Sequence, residues 1–385
     1  MSLLPPSELL ARRAERLRAV LAPLQIDRLL ITTLPNVTWL TGFEGSAAAV
    51  LMRPQHCVLV TDGRYREAAI EIAERCAGLI TVVLVEDTYD ETIVRLIAEE
   101  GSAVGFEAGS MTVARLNWLT ATLRHTGSPT VLSPTMTAVE ACRIVKDDWE
   151  IDILRDAAQR LSAVAIGVIA DFRPGIAERD VAQGIEAGLR RAGFSRPAFD
   201  TIVASGPRAA LPHGRASDRV IQPGEVVVLD FGGVYGGYCV DLTRTVACGD
   251  PGSEAREWYD SVLAAQSAAI AAVRPGRPAA DIDRAARTVL EDRGLGLLFT
   301  HGTGHGLGLE VHEAPRVGRP RRESGRDPMP GTVLLPEDLD AGMILTVEPG
   351  VYVPGRGGVR IEDDVLVTAS GVEVLTSVPR TLVID

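Results

Sequence analysis

Lysine and cysteine are scarce in this chain, and their scarcity excludes several chemistries. Lys146 is the only lysine among 385 residues. A phosphate-binding loop ending in Gly-Lys-Ser or Gly-Lys-Thr is therefore absent, and a Schiff base has a single candidate. The five cysteines form neither a CxxC pair nor an even disulfide framework. We therefore disfavour nucleotide hydrolysis and pyridoxal chemistry, and we expect reduced thiols.

Long apolar runs are also missing. No stretch approaches the ~20 residues that span a bilayer, and residues 1–23 mix Arg and Glu with leucine, as an amphipathic surface helix does and a signal peptide does not. With 39 Lys+Arg against 51 Asp+Glu, the net charge of −12 disfavours general affinity for nucleic acid or anionic membranes. We expect a cytoplasmic protein without a nucleic-acid or membrane partner.

The length predicts two domains, since one domain usually takes about 100–200 residues. In the first part of the chain, short apolar runs alternate with helical spacing, at 28–34, 57–61, 65–76 and 90–100. From about Glu150 the pattern changes to a long helix with one apolar face. We predict a small α/β domain over 1–142 and a second domain over 143–385.

The second domain contains an internal repeat. The segment 173–181, which starts with Arg-Pro-Gly, recurs 101 residues later at 274–282. The segments 223–230 and 341–348 align at an offset of 118, which places Asp230 on Glu348. A duplicated α/β half would bring equivalent strands together across a pseudo-twofold axis, with both carboxylates facing one cleft.

Two aspartates lie inside strand-like sequence. The run 226–246 predicts two β-strands joined by a glycine-rich turn, with Asp230 in the first and Asp241 in the second. A buried and unpaired acid costs several kcal/mol, so a positive charge is expected beside them. Arginines such as Arg244 are one source of that charge, and a metal ion is the other.

A histidine cluster favours the metal. Three of the six histidines, His301, His305 and His312, fall within twelve residues. The alternating glycines between them make a helix improbable, and both the HExxH and the GxGxxG patterns are absent. The glycines instead indicate a backbone packed closely against a site.

Two further acids complete a candidate ligand set. Glu348 follows an apolar strand, and period-2 alternation in the predicted strand 359–365 places Arg360 and Glu362 on one face. Four carboxylates and one histidine suit Mn²⁺ best, and Zn²⁺ or Co²⁺ also fits. Two divalent ions bridged by Asp241 and Glu362 would balance the negative charge and share a hydroxide.

These motifs together resemble the Xaa-Pro peptidases, aminopeptidase P and prolidase, of the pita-bread metallopeptidases. The resemblance rests on DLTRT, HGTGHGLGLEVHE, VEPG and VRIEDD in the second domain, and on NVTWLTGFEGS and TDGRYREAA in the first. It implies an α/β (α+β) chain, with a creatinase-like amino-terminal domain followed by a pita-bread catalytic domain with a pseudo-twofold repeat. It also implies the metal ligands Asp230, Asp241, His305, Glu348 and Glu362. Creatinase shares the fold but lacks this ligand set.

The resemblance also implies roles around the metals. His213 corresponds to a histidine near the proline side of the substrate, His312 to one that contacts the scissile carbonyl, and His301 to a further cleft histidine. Arg360 corresponds to an arginine beside the bridging glutamate, and Glu348 is expected to relay a proton. Tyr352 matches a tyrosine after the Glu-Pro-Gly turn, although an aromatic packed on a strand explains it equally well.

Substrate length is the open question. A long Arg- and Pro-rich stretch, 316–338, follows His312, and it is either a plain surface loop or the source of an arginine that binds a dipeptide carboxylate. Arg316 is the first candidate, and Arg319, Arg321, Arg322 and Arg326 follow it. We expect proline-containing dipeptides or short peptides as substrates and a homodimer as the family's assembly. A methionine-aminopeptidase-like exopeptidase and a non-catalytic pita-bread binding module are the alternatives.

Overall fold

The computed structural model describes residues 4–99, 101–320 and 327–384. These residues divide into two units. The first contains the described residues up to 143 together with 327–335, and the second contains the remaining described residues from 144 onward. Three of the arginines that are candidates to bind a dipeptide carboxylate lie outside the described residues, namely Arg321, Arg322 and Arg326.

The first unit is a six-stranded mixed sheet with helices, in the strand order β4-β3-β2-β1-β5-β6. Its strands are β1 Leu29–Ile31, β2 Ala49–Met52, β3 Cys57–Thr61, β4 Ile80–Leu84, β5 Ala103–Glu107 and β6 Val131–Thr135. Its helices are α1 Ser7–Leu21, α2 Leu34–Thr41, α3 Arg66–Arg75, α4 Tyr89–Ala98, α5 Val113–His125 and α6 Ala138–Arg143. The predicted helices near 65–76 and 90–100 correspond to α3 and α4.

Residues 327–335 pack in this first unit because they share backbone hydrogen bonds with residues that follow β6. Met136 donates its N–H to the carbonyl of Gly331, and Val333 donates to the carbonyl of Met136. Gly331 has φ of 81°, and a Cβ there would lie 2.1 Å from the carbonyl oxygen of Pro134. Part of the Arg- and Pro-rich stretch is therefore a packed segment of the first unit, which the simple loop interpretation did not anticipate.

The second unit repeats one arrangement, in which two helices precede a sheet. Its helices are α7 Asp148–Asp171, α8 Glu178–Arg191, α9 Gly252–Ala272 and α10 Ala279–Asp292. The strands of the first half are β7 Arg196–Pro197, β8 Ile202–Ser205, β9 Val226–Tyr235 and β10 Tyr238–Cys248. Those that follow are β11 Gly304–Gly306, β12 Glu313–Val317, β13 Ile344–Val347, β14 Gly350–Val353, β15 Gly357–Arg360, β16 Asp363–Thr368, β17 Gly371–Val374 and β18 Val383–Ile384.

The two larger sheets of this unit carry the candidate site. In one, β9 pairs with β7, β8 and β10, and β18 lies beside β10. In the other, the strand order is β12-β11-β13-β16-β17. Helix α7 begins at a capping box, because the Asp147 side chain accepts the Glu150 N–H and the Glu150 side chain accepts the Asp147 N–H. Among the described residues, no helix is long and apolar enough to cross a membrane.

Candidate metal centre

The hairpin β9–β10 brings two carboxylates onto one face. Asp230 lies opposite Thr243, and Asp241 lies opposite Gly232, so the two acids are diagonal neighbours across the strand pair. Gly232 has no room for a side chain, since a Cβ would lie 2.2 Å from the carbonyl oxygen of Val240. The predicted hairpin with its two inward-facing acids is present in the structure.

The glycines around His305 allow a close backbone approach, as the sequence indicated. A Cβ on Gly304 would lie 2.0 Å from the carbonyl oxygen of Thr346, and one on Gly306 would lie 2.0 Å from that of Ala314. Strand β11 can therefore fit between β12 and β13. The His305 Nδ1 lies 3.0 Å from the carbonyl oxygen of Gly306, so Nδ1 carries the proton and the lone pair of Nε2 is left for a ligand.

Glu348 and Glu362 approach this histidine from the ends of strands. Glu348 directly follows β13, and its N–H donates to the carbonyl of Thr303. One of its carboxylate oxygens lies 3.6 Å from Nε2 of His305. Glu362 lies between β15 and β16, and its Oε2 accepts a hydrogen bond of 2.6 Å from Thr243 Oγ1.

The prediction of one continuous strand over 359–365 is wrong. Strand β15 ends at Arg360 and pairs only with β14, whereas β16 begins at Asp363 and pairs with β13 and β17. Between them, Glu362 donates its N–H to the carbonyl of Thr243 in β10. The change of partner breaks the strand at the position of the proposed ligand.

The donor atoms fit a divalent cation. One ligand atom each from Asp241, His305 and Glu362 lies within 4.8 Å of the others. Asp230 Oδ1 and Glu362 Oε1 are buried and accept no hydrogen bond from any described residue. Buried carboxylate oxygens normally have a partner, so these two point to a cation that the protein atoms do not supply.

Electrostatics lead to the same conclusion. Burial, followed by repulsion from neighbouring carboxylates, raises the pKa values of Asp241 and Glu362 well above their usual range. Burial also raises the pKa of Glu348, although Arg360 opposes this.

Arg360 donates to Asp230, whereas Arg244 pairs with Asp363 and with backbone carbonyls. The interpretation in which Arg244 satisfies Asp230 and Asp241 is therefore wrong.

A cavity of about 520 Å³ opens at these acids. Its lining includes the whole predicted ligand set and five of the six residues predicted around it, namely Asp230, Asp241, His305, Glu348, Glu362, His213, His301, His312, Arg316 and Arg360. The ring of His312 packs edge-on against that of His305, with centroids 4.3 Å apart. Desolvation and the nearby His213 lower the pKa of His312, which favours its neutral form.

Tyr352, the sixth residue predicted around the ligand set, contacts two residues of the cavity lining, Arg360 and His301. Its buried hydroxyl accepts a hydrogen bond of 2.7 Å from Arg360 and lies 2.8 Å from Nε2 of His301. His301 Nδ1 lies 2.7 Å from the carbonyl oxygen of Gly302, so this nitrogen is the donor and Nε2 accepts from the tyrosine. Burial lowers the pKa of His301 to about 4, which keeps its ring neutral.

Arg316 lies in β12, and its Cα is paired with that of His305 in β11. Its side chain is exposed at the cavity wall, and one guanidinium N–H donates to the carbonyl of Arg319 at 3.0 Å. A guanidinium has further donors in the same plane. The carbonyl of Arg319 therefore orients the Arg316 side chain, and the guanidinium has further N–H groups that can donate hydrogen bonds.

The sequence interpretation missed Thr243 and Asp364. Thr243 bonds to Glu362, and Asp364 Oδ2 accepts the Asp241 N–H at 3.0 Å. The period-2 pattern of β10 could have identified Thr243, which is two residues from Asp241 and therefore on the same face. Asp364 offered no such signal, because its contact joins residues 123 apart in the chain.

Comparison with known proteins places the chain in a family. Residues 152–369, more than half of the chain, match metallopeptidase family M24. The chain belongs to this family. Residues 13–145 match the creatinase/prolidase N-terminal domain. The resemblance to Xaa-Pro peptidases and the predicted fold, a creatinase-like domain followed by a pita-bread domain, are confirmed.

Relatives of this chain match it over nearly its full length. The uncharacterized peptidase YqhT of Bacillus subtilis is 38% identical over 97% of this chain and 99% of its own. The Xaa-Pro dipeptidase of Bacillus anthracis superposes with a TM-score of 0.86 at 36% identity, covering 97% of this chain and 100% of its own. The X-Pro aminopeptidase of Thermotoga maritima superposes with a TM-score of 0.81 at 31% identity, covering 95% and 100%.

Proposed function

We propose that this protein is a dinuclear, metal-dependent Xaa-Pro dipeptidase, with its catalytic domain over 143–385 and its amino-terminal domain over 1–142. Two divalent ions, Mn²⁺ in preference to Zn²⁺ or Co²⁺, would be held by Asp230, Asp241, His305, Glu348 and Glu362. The protein acts in the cytoplasm as a homodimer. The observation that carries the proposal is the set of buried carboxylates, two with unpartnered oxygens, in a cavity that histidines also line.

The charge of the ligand set supports two ions over one. The four carboxylates of the proposed ligand set line the cavity, and Arg360 is the one arginine among its described lining residues that pairs with any of these four. The fifth lining carboxylate, Asp200, pairs with Arg215. A single divalent ion would leave negative charge uncompensated in a buried site. Asp241 and Glu362 would hold the ions together with His305, since one donor atom from each of the three lies within 4.8 Å of the others.

Bound divalent ions would supply Lewis-acid polarisation of the substrate carbonyl and lower the pKa of a water molecule. The residues of the chain then have separate tasks. Glu348, beside His305, can accept and return a proton. His312 would donate a hydrogen bond to the developing oxyanion, and His213, which also lines the cavity, would contact the proline side of the substrate.

This arrangement suits a bond to proline. The Xaa-Pro bond is a tertiary amide without an N–H, so recognition through that hydrogen fails. The described site needs no such donor from the substrate, because its acids and histidines act on the carbonyl and on the free amino group. Carboxylates near the ions would hold that amino group and set cleavage one residue from the amino terminus.

The preference for dipeptides is based on Arg316. A dipeptide presents the proline carboxylate at the point where a longer peptide continues as an amide. A planar guanidinium binds both oxygens of a carboxylate, and Arg316 stands at the cavity wall with donors to spare. Contacts with the amino-terminal charge and with the carboxylate of the substrate would then select a substrate of two residues.

Product analysis tests this function against its alternatives. The purified, metal-loaded protein is incubated with Ala-Pro, Ala-Pro-Ala and Met-Ala-Ser, and the products are identified by mass spectrometry. We expect release of alanine from Ala-Pro and much slower release from Ala-Pro-Ala. Release of methionine from Met-Ala-Ser at a higher rate would favour a methionine-aminopeptidase-like enzyme. No hydrolysis of any peptide by protein with bound metal would favour a binding module.

A further inference from the structure

The only lysine of the chain is buried in the catalytic unit. Its side chain is 1% exposed, and its ammonium lies 3.2 Å from a carboxylate oxygen of Glu313, which is itself 7% exposed. Every other basic residue among the 39 Lys+Arg is an arginine, so a compact, single-point cation occurs at this one place. Glu313, one partner of this ion pair, directly follows His312 in the sequence.

Backbone contacts on both sides hold Lys146 in place within the second unit. Its N–H donates to the carbonyl of Gly342, and the preceding Val145 forms an isolated β-bridge with Met343. The following residue, Asp147, caps α7. The backbone of Lys146 is therefore fixed between a turn and the start of a 24-residue helix.

The glutamate organises the turn that carries His312. Glu313 Oε1 accepts the N–H of Glu310 at 3.0 Å, which closes the segment 310–313 on itself. Gly308 packs so closely that a Cβ there would lie 2.6 Å from Glu313 Oε2. The carbonyl of Gly308 accepts the N–H of Cys239 in β10, the strand of Asp241.

We propose that Lys146 is a positioning residue, which acts through Glu313 to hold His312 over the metal site. The ammonium neutralises a buried carboxylate that would otherwise repel the nearby acids or turn toward solvent. With that carboxylate fixed, the turn 308–313 holds His312 against His305. The inference rests on the proposed function, because His312 is assigned its role there.

The first test separates turnover from binding. In the metal-loaded enzyme, Lys146→Met removes the charge and keeps the length of the side chain. We expect kcat for Ala-Pro to fall about 10- to 100-fold with little change in KM, since a displacement near 1 Å can cost 100-fold in rate. Arg155→Met is the control for loss of an ion pair away from the site, because it breaks a partly exposed pair with Glu373 that is 2.7 Å long and lies outside the cavity lining. The control should retain the wild-type kcat.

A double-mutant cycle with His312 decides between positioning and general stability. If Lys146 acts through His312, the variant His312→Ala/Lys146→Met is no slower than His312→Ala alone. Multiplicative losses, or a wild-type kcat in Lys146→Met, would overturn the proposal. If Lys146→Met does not fold, Glu313→Gln removes the same ion pair and enters the same cycle.

A spectroscopic measurement keeps the inference independent of the assay. Because the chain has one lysine, incorporation of ¹⁵N-ε-lysine gives a single side-chain signal. We expect an ammonium signal protected from solvent exchange, which shifts or loses its protection in Glu313→Gln. A freely exchanging signal would refute the ion pair. If wild-type protein fails to cleave Ala-Pro while the signal behaves as expected, the proposed function is wrong and the ion pair stands.

Discussion

Replacement of Arg316 by alanine should convert a dipeptide preference into indifference to substrate length. The proposed contact joins a guanidinium and the carboxylate of the bound proline. Charge-assisted hydrogen bonds contribute about 1.5–3 kcal/mol, and each 1.4 kcal/mol corresponds to a factor of ten. Arg316 is exposed at the cavity wall, so solvent screening favours the lower half of this range. The expected loss in kcat/KM for Ala-Pro is about 10- to 40-fold.

The assay compares kcat/KM for Ala-Pro and Ala-Pro-Ala in wild type, Arg316→Ala and Arg319→Ala. Arg319 is the matched control, because it is an exposed arginine three residues further on and does not line the cavity. Its carbonyl, which orients Arg316, survives the substitution. We expect Arg316→Ala to lose activity on the dipeptide alone and Arg319→Ala to match wild type. An equal loss on both substrates, or a wild type that strongly prefers Ala-Pro-Ala, would refute the carboxylate contact.

Four further substitutions probe the ligands and the scaffold. Asp241→Asn and Glu362→Gln should each lose bound metal and reduce turnover by at least about 100-fold. If metal analysis finds full occupancy in one of these variants, the residue replaced in it is not a ligand. His213→Ala should keep both ions but lose turnover, and loss of metal would show that it is a ligand. Glu178→Gln should destabilise the fold by about 1.5–3 kcal/mol at pH 7, because the buried carboxylate accepts hydrogen bonds from Ser205, Ser217 and Arg208. Burial alone would raise the pKa of Glu178, but these bonds hold it below its usual value, so its stabilisation is present at neutral pH and fades in acid. Urea unfolding at pH 7 and pH 4 should therefore show a smaller difference from wild type at pH 4, and an equal difference would contradict the assignment.

Local patterns predicted the parts of the site that depend on neighbours in sequence. The hairpin with Asp230 and Asp241 follows from two apolar runs around a glycine turn. The close approach at His305 follows from glycines that leave no Cβ between β12 and β13. Both features are set by short-range sterics, which a single sequence displays.

Contacts between distant segments could not be predicted in this way. The break between Arg360 and Asp363 arises because the chain changes partner strands, and nothing in the alternation signals it. The pair of Lys146 and Glu313 joins residues 167 apart. The packing of 327–335 in the first unit likewise depends on a backbone partner near Met136. Each of these requires knowledge of the tertiary fold.

The most direct test of the account is removal and return of the metal. Wild-type protein is stripped with a chelator, its metal content is verified by mass spectrometry, and hydrolysis of Ala-Pro is measured before and after addition of Mn²⁺, Zn²⁺ or Co²⁺. We predict no cleavage in the metal-free protein and recovery of activity that reaches its maximum at two ions per chain, with Mn²⁺ the most effective. Full activity in verified metal-free protein would contradict the assignment of Asp230, Asp241, His305, Glu348 and Glu362 as a catalytic metal centre.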